Sequence, residues 1–233
     1  MLTLRRLTLL ALAAGAALTF SGCGASQQAR SMEIKDSLLI NPAILEKGAE
    51  GQALYRYENP KADFKSYSKI LIDPVIMSKA ADMDADEAEN YQKLVNNAFV
   101  LLNDQLKNDY SIVKSPEPGT LRVQMAILAA SSASKVRSVT STVLPIGLAL
   151  NLVKYSATGK PSAVGDITVE IKMTDAATGE LLGAAVDQRV GGMNIAGAWD
   201  SWRTADGALD YWAKQVRFVL CQKRGGAACV KPE

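Results

Sequence analysis

The sequence contains three cysteines, and the first of them follows an apolar N-terminal run. Two arginines precede an uncharged apolar stretch over residues 7–20, and two small residues stand directly before Cys23. This order is typical of a bacterial signal peptide whose cysteine thiol is acylated and whose leader is then removed. We expect residues 1–22 to be a lipoprotein-type signal peptide and Cys23 to be the lipidated first residue. A plain secretory signal with an incidental cysteine is the alternative.

A lipid anchor at Cys23 would also determine where the protein works. The apolar stretch itself is too short and wrongly flanked for a stable transmembrane span. Each buried CH₂ of an acyl chain contributes roughly 0.8 kcal/mol, so several chains hold a protein on a bilayer permanently. Gly24 follows the cysteine, where an aspartate would indicate retention in the inner membrane. The expected partner is therefore the membrane, at the periplasmic face of the outer membrane in the cell envelope.

The two remaining cysteines, Cys221 and Cys229, are predicted to form a disulfide. The periplasm is oxidising, and two glycines between the cysteines allow the chain to turn back. Redox-active pairs are usually Cys-x-x-Cys at a helix N-terminus, whereas this pair lies at a predicted helix C-terminus with a longer spacing. A metal site needs more ligands than these two. The disulfide is expected to hold the C-terminal tail, residues 222–233, against the last helix.

Catalytic residues are hard to find in this sequence. It contains no histidine, which removes the commonest general base and the commonest metal ligand. Ser66 with Lys69 and Ser132 with Lys135 match the Ser-x-x-Lys pattern of penicillin-interactive enzymes. The companion motifs Ser-Asp-Asn and Lys-Thr-Gly do not accompany them, so we interpret both matches as chance.

Four carboxylates are predicted near strand ends or turns: Asp73, Asp175, Glu180 and Asp187. A pair of them could perform acid–base chemistry if they met in a cleft, but turn stabilisation is the simpler interpretation.

Three alternating aspartates, at positions 82, 84 and 86, begin like a calcium loop. Glu87 then stands where such a loop needs glycine, and Lys93 where it needs a bidentate glutamate. Helix capping explains the cluster better. We therefore predict no catalytic residue, no metal and no cofactor.

Net charge argues against a nucleic-acid partner. Without Arg5 and Arg6 of the leader, the 26 Lys and Arg become 24, against 24 Asp and Glu, so the mature chain is formally neutral. Nucleic-acid binders normally carry a basic excess.

One apolar segment, residues 143–153, is unusual. Its large apolar residues include Val143, Leu144, Ile146, Leu148, Leu150 and Leu152. It is too short to span a bilayer. Core packing is the first interpretation, and an exposed loop that contacts lipid or an envelope protein partner is the alternative.

The pattern of apolar residues predicts an α+β domain. Strands are expected at 52–57, 67–77, 110–113, 121–130, 167–174 and 181–190, the last two joined by a turn at 175–180. Helices are expected from Asp84 to about residue 108 and over 198–221. The predicted architecture has two layers, a mainly antiparallel mixed sheet with two helices packed on one face, and the first strand–helix–strand unit is a candidate for parallel pairing. A flexible tether over 23–45 and a single domain over 46–221 complete the expected organisation.

Several short blocks in a fixed order resemble the bacterial lipoproteins of the domain-of-unknown-function family 3313. The blocks are residues 67–75 (YSKILIDPV), 118–123 (PGTLRV), 166–170 (DITVE), Asp175 with 178–182 (TGELL), and 212–213 (WA). The resemblance implies an envelope lipoprotein with no established activity, and it supplies no catalytic residues.

Three functions remain open on the sequence. The first is a non-enzymatic adaptor or structural component that faces the periplasm. The second is a module that binds a small molecule or a glycan, for which we expect a closed pocket lined by aromatic residues such as Trp199 and Trp202. The third is a histidine-free hydrolase, which requires two carboxylates within about 5–10 Å of each other in a cleft.

Overall fold

Strands and two long helices form most of the described part of the chain. The computed structural model describes residues 26–29, 31–34, 37–77, 79–80, 85–132, 139–140, 164–190 and 201–232. The described elements in chain order are β1 (Gln27–Gln28), β2 (Glu46–Lys47), β3 (Tyr55–Glu58), β4 (Lys69–Ile72), β5 (Ile76–Met77), β6 (Lys79–Ala80), α1 (Ala85–Leu106), β7 (Ser111–Val113), β8 (Thr120–Ser132), β9 (Val139–Thr140), β10 (Val164–Asp175), β11 (Leu181–Val190) and α2 (Ser201–Lys223).

The main sheet is mixed and open. Its order is β2-β3-β11-β10-β8-β4-β7, with β1 beside β11 and β5 beside β8. Strands β8, β10, β11, β3 and β2 pair antiparallel, whereas β4 pairs parallel with both β7 and β8. The strand–helix–strand unit β4-α1-β7 is therefore parallel. The hairpin β10-β11 turns at Gly179, whose φ of +76° favours glycine.

Both helices pack on one face of the sheet, which we call the helix face. Strand β10 places Ile167, Val169 and Ile171 on this face at a spacing of two residues, and all three are buried. The helices contribute apolar residues at three- and four-residue spacing; those that are buried include Leu94, Ala98, Leu102, Leu106, Leu209, Trp212, Val216 and Leu220. The predicted two-layer α+β fold, with two helices on one face, is confirmed.

The opposite face of the sheet is covered as well, by described residues between 32 and 45; these residues, together with the described residues 26–29, are called the strap. Ile40 is buried against this face, which carries Ala126, Ala184 and Val186, and other apolar strap residues pack around it. This arrangement differs from the flexible tether that the sequence predicted for residues 23–45. The described strap residues are held because they bury apolar side chains and because β1 pairs with β11.

The predicted strand 67–77 is two short strands in the structure. Strand β4 ends at Ile72, and β5 starts at Ile76. Pro74 lies between them and has no N–H for a ladder hydrogen bond. Both pieces still pair parallel with β8. The helix predicted from Asp84 is described from Ala85 onward, so the proposed cap at Asp84 lies outside the described residues.

Candidate functional site

A groove lies on the helix face between α2 and strands β3 and β11, with a volume of about 220 Å³. It exists because α2 packs on β10, while this face of β11 carries small residues at Gly183 and Ala185. No bulky side chain fills the space beside the helix at those two positions. The structure therefore leaves an opening along the C-terminal half of α2.

The floor and walls of the groove are mainly apolar. Strand β10 contributes Val169, Ile171 and Met173 to the floor, and α2 contributes Val216 and Val219 to one wall. The aromatic side chains among the lining residues include Phe64, Tyr211, Trp212 and Phe218. Such a surface favours the apolar body of a ligand.

The outer end of the groove carries an ion-pair cluster. Glu58 accepts hydrogen bonds from Lys223 on α2 and from Arg56 on its own strand. The hydrogen bond from Lys223 is the main reason that the pKa of Glu58 lies below its usual range, with smaller contributions from the two positive charges. Glu58 is thus held ionised between two cations.

The inner end of the groove is closed by Asp187, a buried carboxylate. Its Oδ2 accepts a hydrogen bond from Trp212 Nε1 at 2.8 Å. Its Oδ1 accepts from Gln28 Nε2 at 2.6 Å and from the Leu54 backbone N–H at 3.1 Å. Asp187 therefore joins α2, the strap and the segment before β3. With both oxygens occupied, it positions these elements and is not a free general base.

Gln215 supplies the unusual polar atom of the groove. This residue lines the groove, and its side-chain Oε1 is buried without a hydrogen-bond partner. A buried acceptor without a partner costs free energy, and native structures seldom keep one without a reason. A rotation of the Gln215 side chain toward the groove would present this acceptor to a ligand with an N–H or O–H donor.

Ser66 and Lys69 do not form a nucleophile and a base. Ser66 Oγ donates to the Asp63 carbonyl at 2.7 Å, whereas Lys69 Nζ is bound to Glu117. Lys135 and the side chain of Ser132 lie outside the described residues.

Of the four carboxylates singled out in the sequence, Asp175 and Glu180 flank the same β10-β11 turn, whereas Asp73 and Asp187 lie elsewhere. Asp73 accepts from Arg122 and from Gln124, in contacts of 2.7–3.0 Å. Glu180 accepts from Asn59 Nδ2 at 2.8 Å, on the outer surface. The Asp175 backbone N–H donates to the Glu180 carbonyl at 2.9 Å, but in the described part of the chain no side-chain hydrogen bond joins two of the four carboxylates.

Asp175 stabilises the β10-β11 turn, as its position suggested. Its carboxylate accepts from the N–H groups of Ala177 and Thr178 at 2.9 and 2.7 Å, and from Tyr67 Oη at 3.0 Å. The backbone hydrogen bond from Thr178 is the largest cause of its lowered pKa. Burial first, and then Asp175 itself, raise the pKa of Tyr67 to about 12.

Cys221 and Cys229 form a disulfide, with their Cα atoms 5.6 Å apart. Gly226 lies so close that an added Cβ would meet Cys221 Sγ at 2.6 Å. The bond joins the end of α2 to the tail. Other predicted sites fall outside the described residues, namely Cys23, the segment 143–153, Trp199, the side chain of Trp202, Asp82, Asp84 and the side chain of Asp86.

The aromatic residues predicted for a pocket, Trp199 and the side chain of Trp202, lie outside the described residues, so this prediction stays open. Trp212 lies on the buried face of α2 and also donates a hydrogen bond to Asp187. Asp187 carried a usable signal in the sequence, because this carboxylate directly follows the uncharged run 181–186 within one predicted strand. No sequence signal pointed to Gln215, since a glutamine on an amphipathic helix is usually solvated.

Membrane crossing and metal binding have no support in the part of the chain that the structure describes. No helix there combines the length and the apolar character that crossing a bilayer requires. The same residues contain no group of three or more Cys, Asp or Glu side chains arranged to hold a metal ion.

Three solved structures are similar in outline. A PelC dodecamer from Paraburkholderia phytofirmans is 10% identical with a TM-score of 0.37, and the match covers 74% of this chain and 96% of that one. A single-substitution PelC variant from the same organism is 12% identical with a TM-score of 0.34, over 74% and 96% of the two chains. A Caulobacter crescentus protein named as a candidate lipoprotein is 11% identical with a TM-score of 0.34, over 70% and 94%. These scores are too low to carry an argument.

Comparison by sequence gives a clearer result. No curated protein matches the chain. A family model described as "protein of unknown function (DUF3313)" matches residues 35–216, which include α1, most of α2 and most of the sheet. The chain belongs to this family, DUF3313.

Proposed function

We propose that this protein is a lipid-anchored lipoprotein of the cell envelope that binds a small molecule without catalysing a reaction. The ligand has an apolar body and one hydrogen-bond donor. The observation that carries this proposal is the groove beside α2, which combines an apolar floor with the unpartnered Oε1 of Gln215. Sites of this kind typically use a few polar groups to orient a mainly apolar ligand.

The chemistry of the groove supports binding over catalysis. Both oxygens of Asp187 accept hydrogen bonds, and Glu58 is held by two cations. Asp187 is bonded to the Leu54 N–H, and Glu58 lies four positions after Leu54 on the same segment beside β11. The two carboxylate residues are therefore about 13 Å apart along the sheet, at the rise of a strand. That separation exceeds the distance at which two carboxylates cooperate in glycoside hydrolysis. The groove therefore contains no evident acid–base pair.

The ligand class follows from the lining. A glycan would bring many hydroxyl groups to a floor of valine, isoleucine and methionine, where they would lose hydrogen bonds to water without replacement. An apolar ring system or a short hydrocarbon loses nothing there. One donor group would meet Gln215 Oε1.

The location of the protein is proposed from the leader. The apolar run and the small residues before Cys23 support acylation and an anchor in the envelope. Its expected position is the periplasmic face of the outer membrane.

A fluorescence titration tests ligand binding. The probe N-phenyl-1-naphthylamine has an apolar body and a single N–H donor, and it is added to the non-lipidated chain that starts at Gly24. We expect saturable binding, abolished by Gly183→Leu, because a Cβ at Gly183 meets only the Tyr57 carbonyl at 3.6 Å and the longer side chain fills the groove. Gln215→Leu is expected to weaken binding roughly tenfold, the worth of about one hydrogen bond.

Gly207→Ala is the matched control for the titration. Gly207 is an exposed position on α2, and an added Cβ there has no neighbour within 4 Å. This variant should bind the probe like the parent chain. If Gly183→Leu is folded, as judged by thermal unfolding, and still binds the probe with unchanged affinity, the groove is not the binding site.

An adaptor role is the second candidate, because an open groove also accepts an apolar side chain of an envelope protein. A photo-crosslinking amino acid at Phe218, inside the groove, should then give a reproducible protein adduct in intact cells. The same amino acid at Asn96, an exposed position on α1, is the control. Adducts that are the same from both positions would count against the adaptor.

A further inference from the structure

We infer that one end of the sheet lies against the lipid bilayer, with the β10-β11 turn and the disulfide pointing away from it. This membrane-facing end is formed by β1 together with the C-terminal end of β11. The inference rests on the proposed anchor at Cys23 and adds an orientation to it. The partner of this surface is a lipid bilayer.

The strap is fixed to the sheet almost immediately after Cys23. Ser26 is 6% exposed, and its hydroxyl accepts a hydrogen bond from Arg189 Nε at 2.9 Å, while its carbonyl accepts from the same guanidinium. Gln27 pairs with Val190, and Ala29 N–H donates to the Gln188 carbonyl at 2.9 Å. Four contacts thus hold the chain from residue 26 onward.

Only two residues, Gly24 and Ala25, separate the proposed acylated cysteine from this fixed segment. A fully extended chain spans at most about 3.5 Å per residue, so Ser26 lies within about 10 Å of the Cys23 Cα. A longer linker would let the domain turn freely above the membrane. Two residues allow little of that freedom.

Strand pairing identifies the rest of this end. Val190 pairs with Asp166 as well as with Gln27, and Val164 pairs with Ser132. The C-terminal ends of β8 and β11 and the N-terminal end of β10 therefore lie together beside β1. Asp175, at the opposite end of β10, is nine residues after Asp166, or about 30 Å further along the strand.

Helix α2 runs between the same two ends of the sheet. Tyr211 lies under Arg189, whose guanidinium carbon is 3.7 Å from the ring centre, whereas Lys223 reaches Glu58 beside Gly183. The helix therefore runs from the membrane-facing end to the far end, where Cys221 and Cys229 close the tail. The groove runs in the same direction, with Asp187 at the end nearer the bilayer.

Site-specific fluorescence in vesicles tests this orientation. The full-length lipidated protein is reconstituted in phosphatidylcholine vesicles that carry a nitroxide on a fraction of the lipid headgroups. An environment-sensitive dye is attached to Gln27→Cys or to Ala177→Cys, two exposed positions at opposite ends of the sheet. The introduced thiol is the only free one, because Cys221 and Cys229 are bonded and Cys23 is acylated.

The expected result is quenching several-fold stronger at position 27 than at position 177. Equal quenching at both positions, in protein that sediments with the vesicles, would overturn the orientation while leaving the anchor intact. Protein that does not sediment with vesicles would overturn the anchor and the orientation together. The non-lipidated chain that starts at Gly24, labelled at position 27, is the control and should remain unquenched.

Discussion

Glu170 is a fully buried carboxylate that holds the strap against the sheet. Its Oε2 accepts the backbone N–H groups of Leu38 and Leu39, both at 2.9 Å, and its Oε1 is buried without a partner. The side chain is 0% exposed because Ala126 and Val186 flank it in the register and the strap covers it. Glu170 thus places a buried polar contact within a mainly apolar interface, to which Tyr55 Oη adds a hydrogen bond to the Met32 carbonyl at 3.0 Å.

Replacing Glu170 tests how strongly it holds the strap. Glu170→Ala leaves two backbone N–H groups without an acceptor, and we expect the free energy of unfolding to fall by about 2–4 kcal/mol. Urea denaturation measures the loss, and amide hydrogen exchange at Leu38 and Leu39 should accelerate. Glu170→Gln keeps one acceptor oxygen and should lose less; a loss as large as that of the alanine variant would contradict the assigned role.

Asp175 is expected to make stability depend on acidity. Its pKa is lowered in the folded protein, so the fold favours the carboxylate form. The stabilisation is then fully present above the ordinary pKa of 3.8 and is lost as the pH falls through the lower folded pKa. Asp175→Ala should cost about 1–2 kcal/mol at pH 7 and much less near pH 2, as measured by urea denaturation at both pH values.

Tyr67→Phe is the companion variant for Asp175, since it removes one of the hydrogen bonds to the carboxylate and leaves those from the turn. At neutral pH, Tyr67→Phe should lose less unfolding free energy than Asp175→Ala. A difference between Asp175→Ala and the parent that stays constant across the acidic range would argue against this account.

At the scale of elements, the disulfide and helix α2 act together. The bond closes a loop with a sequence separation of eight residues, directly after the last turn of the helix. On the chain-entropy estimate a loop of this size stabilises the fold by about 2–3 kcal/mol.

We expect the double variant Cys221→Ser with Cys229→Ser to lose about 2–3 kcal/mol of unfolding free energy. Denaturation of the parent protein with and without a reducing agent provides the control. Reduction should lower the stability of the parent to that of the double variant and leave the variant unchanged. A parent protein insensitive to reduction would show that the bond restrains only the tail.

The elements with a clear internal period were predictable, and the strap was not. The alternation of Ile167, Val169 and Ile171 correctly gave β10 and its core face. The same alternation places Glu170 and Lys172 on the other face and predicts that they are exposed. Nothing local in the sequence shows that a distant segment covers that face. The groove was equally unpredictable, since it depends on Gly183 and Ala185 lying beside α2, a contact between elements distant in sequence.

For the whole molecule, the sheet has a complete core only when the strap is present. Described strap residues from Met32 to Leu45 cover the face that carries Ala126, Ala184 and Val186, and Ile40 is buried among them. We therefore expect the folding unit to begin near residue 26, whereas the sequence analysis placed the domain boundary at residue 46.

Two truncations test this boundary. A chain that begins at Ser26 should unfold at the same temperature as the mature protein. A chain that begins at Glu46 exposes several apolar side chains, each worth about 1.5–3 kcal/mol of burial, and should be unfolded or aggregated. Circular dichroism melts compare the two. A chain from Glu46 with an unchanged melt would show that the strap is only an attachment.

The strap also affects the order in which segments of the polypeptide can fold. Leu38 and Leu39 leave the ribosome early, yet their acceptor at Glu170 follows 132 and 131 residues later, and Ser26 waits for Arg189 across 163 residues. Until those late strands emerge, the first apolar residues of the domain have no native surface to meet. We therefore expect the strap to pack only after β10 and β11 have formed, so that the first segment to be synthesised is the last to fold.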